Sequence, residues 1–253
     1  MMVFTLAQRE LRSMFLSPLA WAILAVVQFI LAYLFLTQLN DYILLQPQIK
    51  MLSNPPGATQ LIVAPLFGSA AFIMMMITPL LTMRLISEER SNKSLSLLLS
   101  APISMSEIII GKFLGIAAFI LIMILIISLM PLSLLIAGPL DLPHLGIMMA
   151  GLFLLLLAFS AVGLFMSSLM SQPVVAAVST FGIVLLLWII DWAGNKAGEE
   201  NTSAVLSSIS IFRHFEAMTR GIFSSSDLIY YLLFITTFIV LSIRRLDSDR
   251  LAR

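Results

Sequence analysis

Two histidines, thirteen carboxylates, fourteen lysines and arginines and no cysteine are what this 253-residue sequence offers to chemistry beyond hydroxyls and amides. The missing cysteine removes disulfides, thiolate metal sites and a cysteine nucleophile together. His144 and His214 fall in separate outer loops without metal-ligand spacing, and each reads as a polar loop or interfacial residue. Gly111-Lys112 is the pair that suggests phosphate binding. A phosphate-cradling loop, however, needs glycine at position 106 and Ser or Thr at 113, where Ser106 and Phe113 stand. The carboxylates all fall in loops or at the ends of apolar stretches, whereas proton- and sodium-driven transporters hold ionisable groups inside the membrane. The expectation is a chain that is not an enzyme and carries no nucleotide site, metal or cofactor of its own. Any work it does against a gradient draws energy from another chain.

The elements that carry these residues are apolar. Apolar side chains make up 60% of the sequence and charged ones 11%, and the mean hydropathy is +1.07, more apolar side chain than a soluble domain can clothe in polar surface. Six stretches, 17–38, 62–83, 113–136, 145–169, 174–192 and 228–243, are long enough to cross a hydrocarbon core of about 30 Å as helices. The first is too long for a signal-peptide core and is expected to remain as a span. Pro65, Pro79 and Pro131 lie in or near spans and are expected to kink them. Trp21, Trp188 and Trp192 sit near span ends, as in an aromatic belt. Gln28, Thr78, Ser160, Ser179 and Thr180 are the polar residues within spans, and bonding to a neighbouring helix explains them more simply than a substrate does. With no internal repeat and no large loop, residues 1–253 form a single transmembrane domain.

Orientation follows from the basic residues. Arg9, Arg12, Arg84, Arg90, Lys93, Lys112, Arg244, Arg245, Arg250 and Arg253 share one side, against Lys50, Lys196, Arg213 and Arg220 on the other. Cytoplasmic flanks accumulate such residues, so both termini are placed in the cytoplasm of a multi-pass protein. The net charge of +1 gives no field that would draw in nucleic acid.

The cytoplasmic segment 84–112 is the most informative. Its pattern reads as helix, break at Ser91-Asn92-Lys93, short helix capped by Ser94, turn at Pro102, then helix. Ser104 and Glu107 form a capping box before Ile108. Leu95, Leu98 and Leu99 share one face of the short helix. That face either meets a partner or folds back onto the protein's own helix ends and the lipid headgroups. Two further segments are amphipathic. Residues 3–15 place Phe4, Ala7, Leu11, Met14 and Phe15 on one face with Thr5, Arg9, Arg12 and Ser13 opposite, as for a helix lying in the inner interface. The outer segment 193–226 offers Leu206, Ile209, Phe212, Phe215 and Met218 before a helix end at Gly221. That stripe either dips into the outer interface as a gate or packs on the bundle.

Taken together, Arg84-x-x-x-Glu88-Glu89-Arg90, Leu97-Leu98-Leu99-Ser100-Ala101-Pro102, Glu107, Gly111-Lys112-Phe113, Phe165-Met166-Ser167-Ser168-Leu169, His214-Phe215-Glu216, Arg220-Gly221 and 242–250 cover nearly the whole chain. In these motifs it resembles the permease subunits of type-2 ABC transporters, especially the gliding-motility-associated permeases and those of nitrous-oxide-reductase maturation. The resemblance implies an all-α membrane fold of six transmembrane helices with an N-terminal elbow helix and a cytoplasmic coupling helix. It implies that Glu88, Glu89, Leu95, Leu98, Leu99 and Pro102 dock on an ATP-binding cassette subunit pair, which holds the ATP and Mg. It further implies a second permease copy or relative, a bacterial inner membrane with its lipid, and ATP-driven export. Lys93-Ser94 stands where relatives often have Gly-Thr, and Ser96 where they have Glu. The alternative is a non-transporting scaffold through which an ATPase drives a gliding or assembly machine.

Overall fold

The computed structural model describes residues 2–49, 51, 56–92, 104–136, 140–196 and 210–251. Among these, every regular element is helical. They are α1 (Met2–Leu16), α2 (Pro18–Ile49), a π turn (Thr59–Val63) leading into α3 (Ala64–Thr82), α4 (Ser87–Ser91), α5 (Met105–Ser133) with a short 3-10 turn (Leu134–Ile136), α6 (Leu142–Leu169), α7 (Pro173–Lys196), α8 (Ile211–Thr219) and α9 (Ser225–Leu251). Six helices, led by α2, α3, α5, α6, α7 and α9, are long and apolar enough to cross a membrane. Several outrun the stretches that hydropathy marks: α5 begins at Met105 and not near Phe113, and α2 continues to Ile49. Hydropathy registers only the hydrocarbon-embedded part of a helix, while the backbone ladder continues into the interface.

α6 is the hub, packing on α3, α5, α7, α8 and α9. Small residues permit the close approach. A Cβ at Gly163 would stand 2.1 Å from Thr82 Oγ1 on α3, and one at Gly151 would stand 2.9 Å from Met218 on α8. Leu152, Leu155, Leu156 and Phe159 of α6 fill the core against Phe67, Met74, Phe119 and Met123. The four span hydroxyls singled out from the sequence do not cross to neighbouring helices as expected. Thr78, Ser160, Ser179 and Thr180 each donate to the carbonyl four residues back, at Met74, Leu156, Val175 and Ala176. In apolar surroundings that carbonyl is always within reach, so the bond closes locally. Gln28 is the exception, with an amide that has no hydrogen-bond partner among the described residues.

Helix ends follow the sequence signals. Ser104 Oγ accepts from the Glu107 N–H at 3.2 Å while Glu107 accepts from the Ser104 N–H at 3.1 Å, completing the capping box of α5. Gly221 has φ +81°, and the Ile222 and Gly221 N–H groups reach back to the Ala217 and Met218 carbonyls, the Schellman closure that favours glycine. The outer stripe packs on the bundle: Phe215 and Met218 are buried and Phe212 lies against the core, whereas Leu206 and Ile209 lie outside the described residues. The histidines sit in helices, not loops. His144 Nε2 donates to the Thr219 carbonyl at 2.9 Å and so ties α6 to α8, and His214 meets Asp227 of α9 at 2.6 Å.

Candidate functional site

Of the motifs named from the sequence, Glu88-Glu89-Arg90, Gly111-Lys112, Ser167-Ser168 and the 242–250 stretch meet at one end of the bundle, beside α1 and the end of α9. His214-Phe215-Glu216 and Arg220-Gly221 lie at the other end, and 97–102 lies outside the described residues. After α3 ends at Thr82, a tight turn over 83–86 leads into α4, whose five residues are too few to hold a helix by themselves. Its start is secured from outside. The Ile86 and Ser87 N–H groups both donate to Ser167 Oγ on α6 at 3.0 Å, and Ser167 donates onward to the Met83 carbonyl at 3.1 Å. One buried hydroxyl from another helix thus satisfies the backbone donors that Ile86, with an apolar side chain, cannot cap. Leu85 and Ile86 fill the core beneath the turn.

Two ion-pair clusters hold α4 laterally. Arg90 donates through Nη2 to the Ser168 carbonyl at 2.7 Å and pairs with Asp249, near the end of α9. Asp249 also lies 3.5 Å from Arg245. On the other flank, Lys112 of α5 reaches Glu89 at 2.9 Å and Glu10 of α1 at 3.2 Å, and Lys112 itself is only 5% exposed. A lysine this deep is tolerable because two carboxylates surround its ammonium. α1, α4 and α5 are thereby joined through one cation.

The seat of α1 on α5 is built from Gly111 and Gly115, on either side of Lys112 in sequence. A Cβ at Gly111 would stand 2.7 Å from Leu6 Cβ and 3.2 Å from the Val3 carbonyl oxygen. One at Gly115 would stand 2.7 Å from Glu10 Cβ and 3.1 Å from the Ala7 carbonyl oxygen. This is the small-xxx-small arrangement that brings helix backbones together in membranes. It also rotates α1 relative to the face expected from sequence. Ala7, Leu11, Met14 and Phe15 pack inward as anticipated, joined by Val3, Leu6 and Glu10, but Phe4 is 77% exposed. The ion pair of Glu10 and the two glycines fix the register, and Phe4 is left on the outward face.

Of the docking residues expected from sequence, Glu88 is exposed and Glu89 turns inward to Lys112, while Leu95, Leu98, Leu99 and Pro102 lie outside the described residues. Sequence reasoning missed Glu10, Lys112, Ser167 and Asp249 as a unit. The available signal is the glycine spacing in Gly111-Lys112-Phe113-Leu114-Gly115, of which the sequence reading weighs only the Gly111-Lys112 pair.

A helical bundle with six helices long and apolar enough to cross a membrane and an ion-paired platform at one end has the architecture of a multi-pass membrane protein. The family model described as ABC-2 family transporter protein matches residues 4–251, and the chain belongs to that family. It is accordingly a permease component of an ABC transporter, a system that includes an ATP-binding subunit. A search of the curated proteins found no match.

Proposed function

We propose that this chain is the permease subunit of an ATP-driven exporter in a bacterial inner membrane, with the platform end in the cytoplasm. A pair of ATP-binding subunits, holding ATP and Mg, docks on the segment that follows α4. Glu88, Leu95, Leu98, Leu99 and Pro102 provide the contact, and Glu89 ties that contact to Lys112. A second permease copy or relative completes the pathway, and closure of the ATPases shifts the segment and rearranges the spans. The kinship to gliding-motility and nitrous-oxide-reductase maturation permeases belongs to the same reading.

The observation that supports it is the bonding of α4. A short cytoplasmic helix held to α6 and α9 and, through Lys112 of α5, to α5 and α1 passes a push to most of the bundle at once. Leu98→Asp tests the docking. Burial of each leucine in a partner's groove contributes about 1.5–3 kcal/mol before ordering costs, and a carboxylate there adds roughly 2–5 kcal/mol of penalty. Capture of the ATP-binding subunit should fall by orders of magnitude while the thermal stability of the isolated permease holds. Normal capture with a destabilised permease would sink the docking assignment. Robust ATPase activity without flux of any cargo into vesicles would favour the scaffold role.

A further inference from the structure

At the end of the bundle opposite the platform, α3, α7 and α8 enclose a cleft of about 240 Å³. Its walls are aromatic: Phe72 and Trp188 meet with ring centroids 6.0 Å apart, and Phe212 and Phe215 close the side formed by α8. Two carboxylates, Asp191 and Glu216, line the same cleft. They differ in their partners. Glu216 pairs with Arg220 at 2.6 Å and is largely exposed at the rim. Asp191 is partly buried, and its Oδ1 accepts the Ser210 hydroxyl. Among the described residues no lysine, arginine or histidine pairs with the Asp191 carboxylate.

The cleft thus offers π faces and a carboxylate acceptor that forms no ion pair among the described residues. An aromatic wall alone would suit any apolar solute, but π faces beside a carboxylate favour a cation, because the ring quadrupole and the fixed charge attract the same sign. An anion would meet both carboxylates, and a small hydrated metal ion would gain nothing from four aromatic rings. We propose that this cleft binds an amphipathic organic monocation, with a flat or alkyl body against Phe72, Trp188 and Phe212 and its quaternary or protonated nitrogen toward Asp191. The site lies at the end of the bundle away from the platform, so the proposal and the docking of the ATP-binding subunit can fail independently.

The chain has three tryptophans and no cysteine, so a Trp21→Phe/Trp192→Phe background leaves Trp188 as the only indole. The probe is 1-methyl-4-phenylpyridinium, whose pyridinium ring quenches indole emission on contact, with uncharged 4-methylbiphenyl of the same shape as competitor. The full-length protein in lipid nanodiscs should show saturable quenching of Trp188 by the cation. Asp191→Asn should weaken that binding about tenfold or more, equivalent to about 1.4 kcal/mol, and leave the competition by 4-methylbiphenyl unchanged. Gly68 borders the cleft, and a Cβ there meets nothing within 4 Å. Gly68→Leu should therefore fill the space and abolish saturable quenching without lowering thermal stability, a check that stands even where Asp191→Asn unfolds. Quenching that never saturates, or cation affinity indifferent to both variants, would overturn the proposal. Equal loss of cation and neutral competitor in Asp191→Asn would do so as well, since it would mean a collapsed cleft and no charge recognition.

Discussion

At the scale of single residues, Lys112 carries more of the platform than any other side chain. Its ammonium is removed from solvent and faces two carboxylates that are themselves about a fifth exposed, at 20% and 23%. Attraction in such surroundings is stronger than at a surface, and the larger consequence is asymmetric: taking away one member strands the others. Lys112→Met keeps the length of the side chain and removes the charge, leaving Glu10 and Glu89 to repel one another across a part-buried gap. Its expected cost is on the order of 2–4 kcal/mol, less than for a fully dry pair because water still reaches the carboxylates. Thermal unfolding of the purified permease should show a clear drop for Lys112→Met, with partial recovery when Glu10→Gln and Glu89→Gln are added. A single variant as stable as the parent would mean that the cluster contributes no net stability. Lys112 was visible in the sequence as a basic flank, as half of a failed phosphate-loop pair and within a family motif, but not as a buried ion-pair centre, since a one-dimensional pattern carries no sign of which cations turn inward.

At the scale of elements, the helices themselves were legible because hydrocarbon thickness imposes length and apolarity on every span, and caps such as Ser104 with Glu107 announce their ends. The rotation of α1 was less legible. Its apolar residues are spread broadly enough that either Phe4 or Val3 and Leu6 could lead the buried face, and in a membrane protein an exposed phenylalanine is no anomaly because the surroundings are themselves apolar. What decides the rotation is the glycine seat on α5. Gly115→Leu should therefore act on α1 specifically. Its Cβ would intrude on Glu10 and on the Ala7 carbonyl, an overpacking of about 1–3 kcal/mol. Hydrogen exchange should show faster exchange across α1 while α6 and α7 keep their protection. Unaltered protection of α1 would mean that its seat is held by something other than close backbone approach.

At the scale of the whole molecule, what the sequence could not reveal is that motifs far apart in the chain form one object. Arg90, Lys112, Ser167 and Asp249 belong to four different elements, and only the folded bundle brings them to the same end. Sidedness is directly testable because the natural chain has no cysteine to interfere. An impermeant maleimide should label Arg220→Cys in intact cells and Ser248→Cys only after lysis, both positions being exposed; the reverse pattern would invert the assembly and remove the platform from reach of a cytoplasmic ATPase. Transmission across the bundle is a separate claim, and Ser167 isolates it. Its hydroxyl is fully buried and serves two backbone donors and one carbonyl of the α3–α4 turn. Ser167→Ala leaves the Ile86 and Ser87 N–H groups unpaired, at about 1–3 kcal/mol apiece, while the Met83 carbonyl keeps the Ser87 hydroxyl, and loosens α4 from α6 without touching Leu95, Leu98 or Leu99. Docking should survive while the response of the spans weakens. The readout is capture of the ATP-binding subunit together with the distance between spin labels at Gln60→Cys and Arg220→Cys, on the opposite end, before and after ATP is added. Normal capture with a diminished ATP-driven distance change is the expected result, whereas a full change in Ser167→Ala would mean that the push travels by another route.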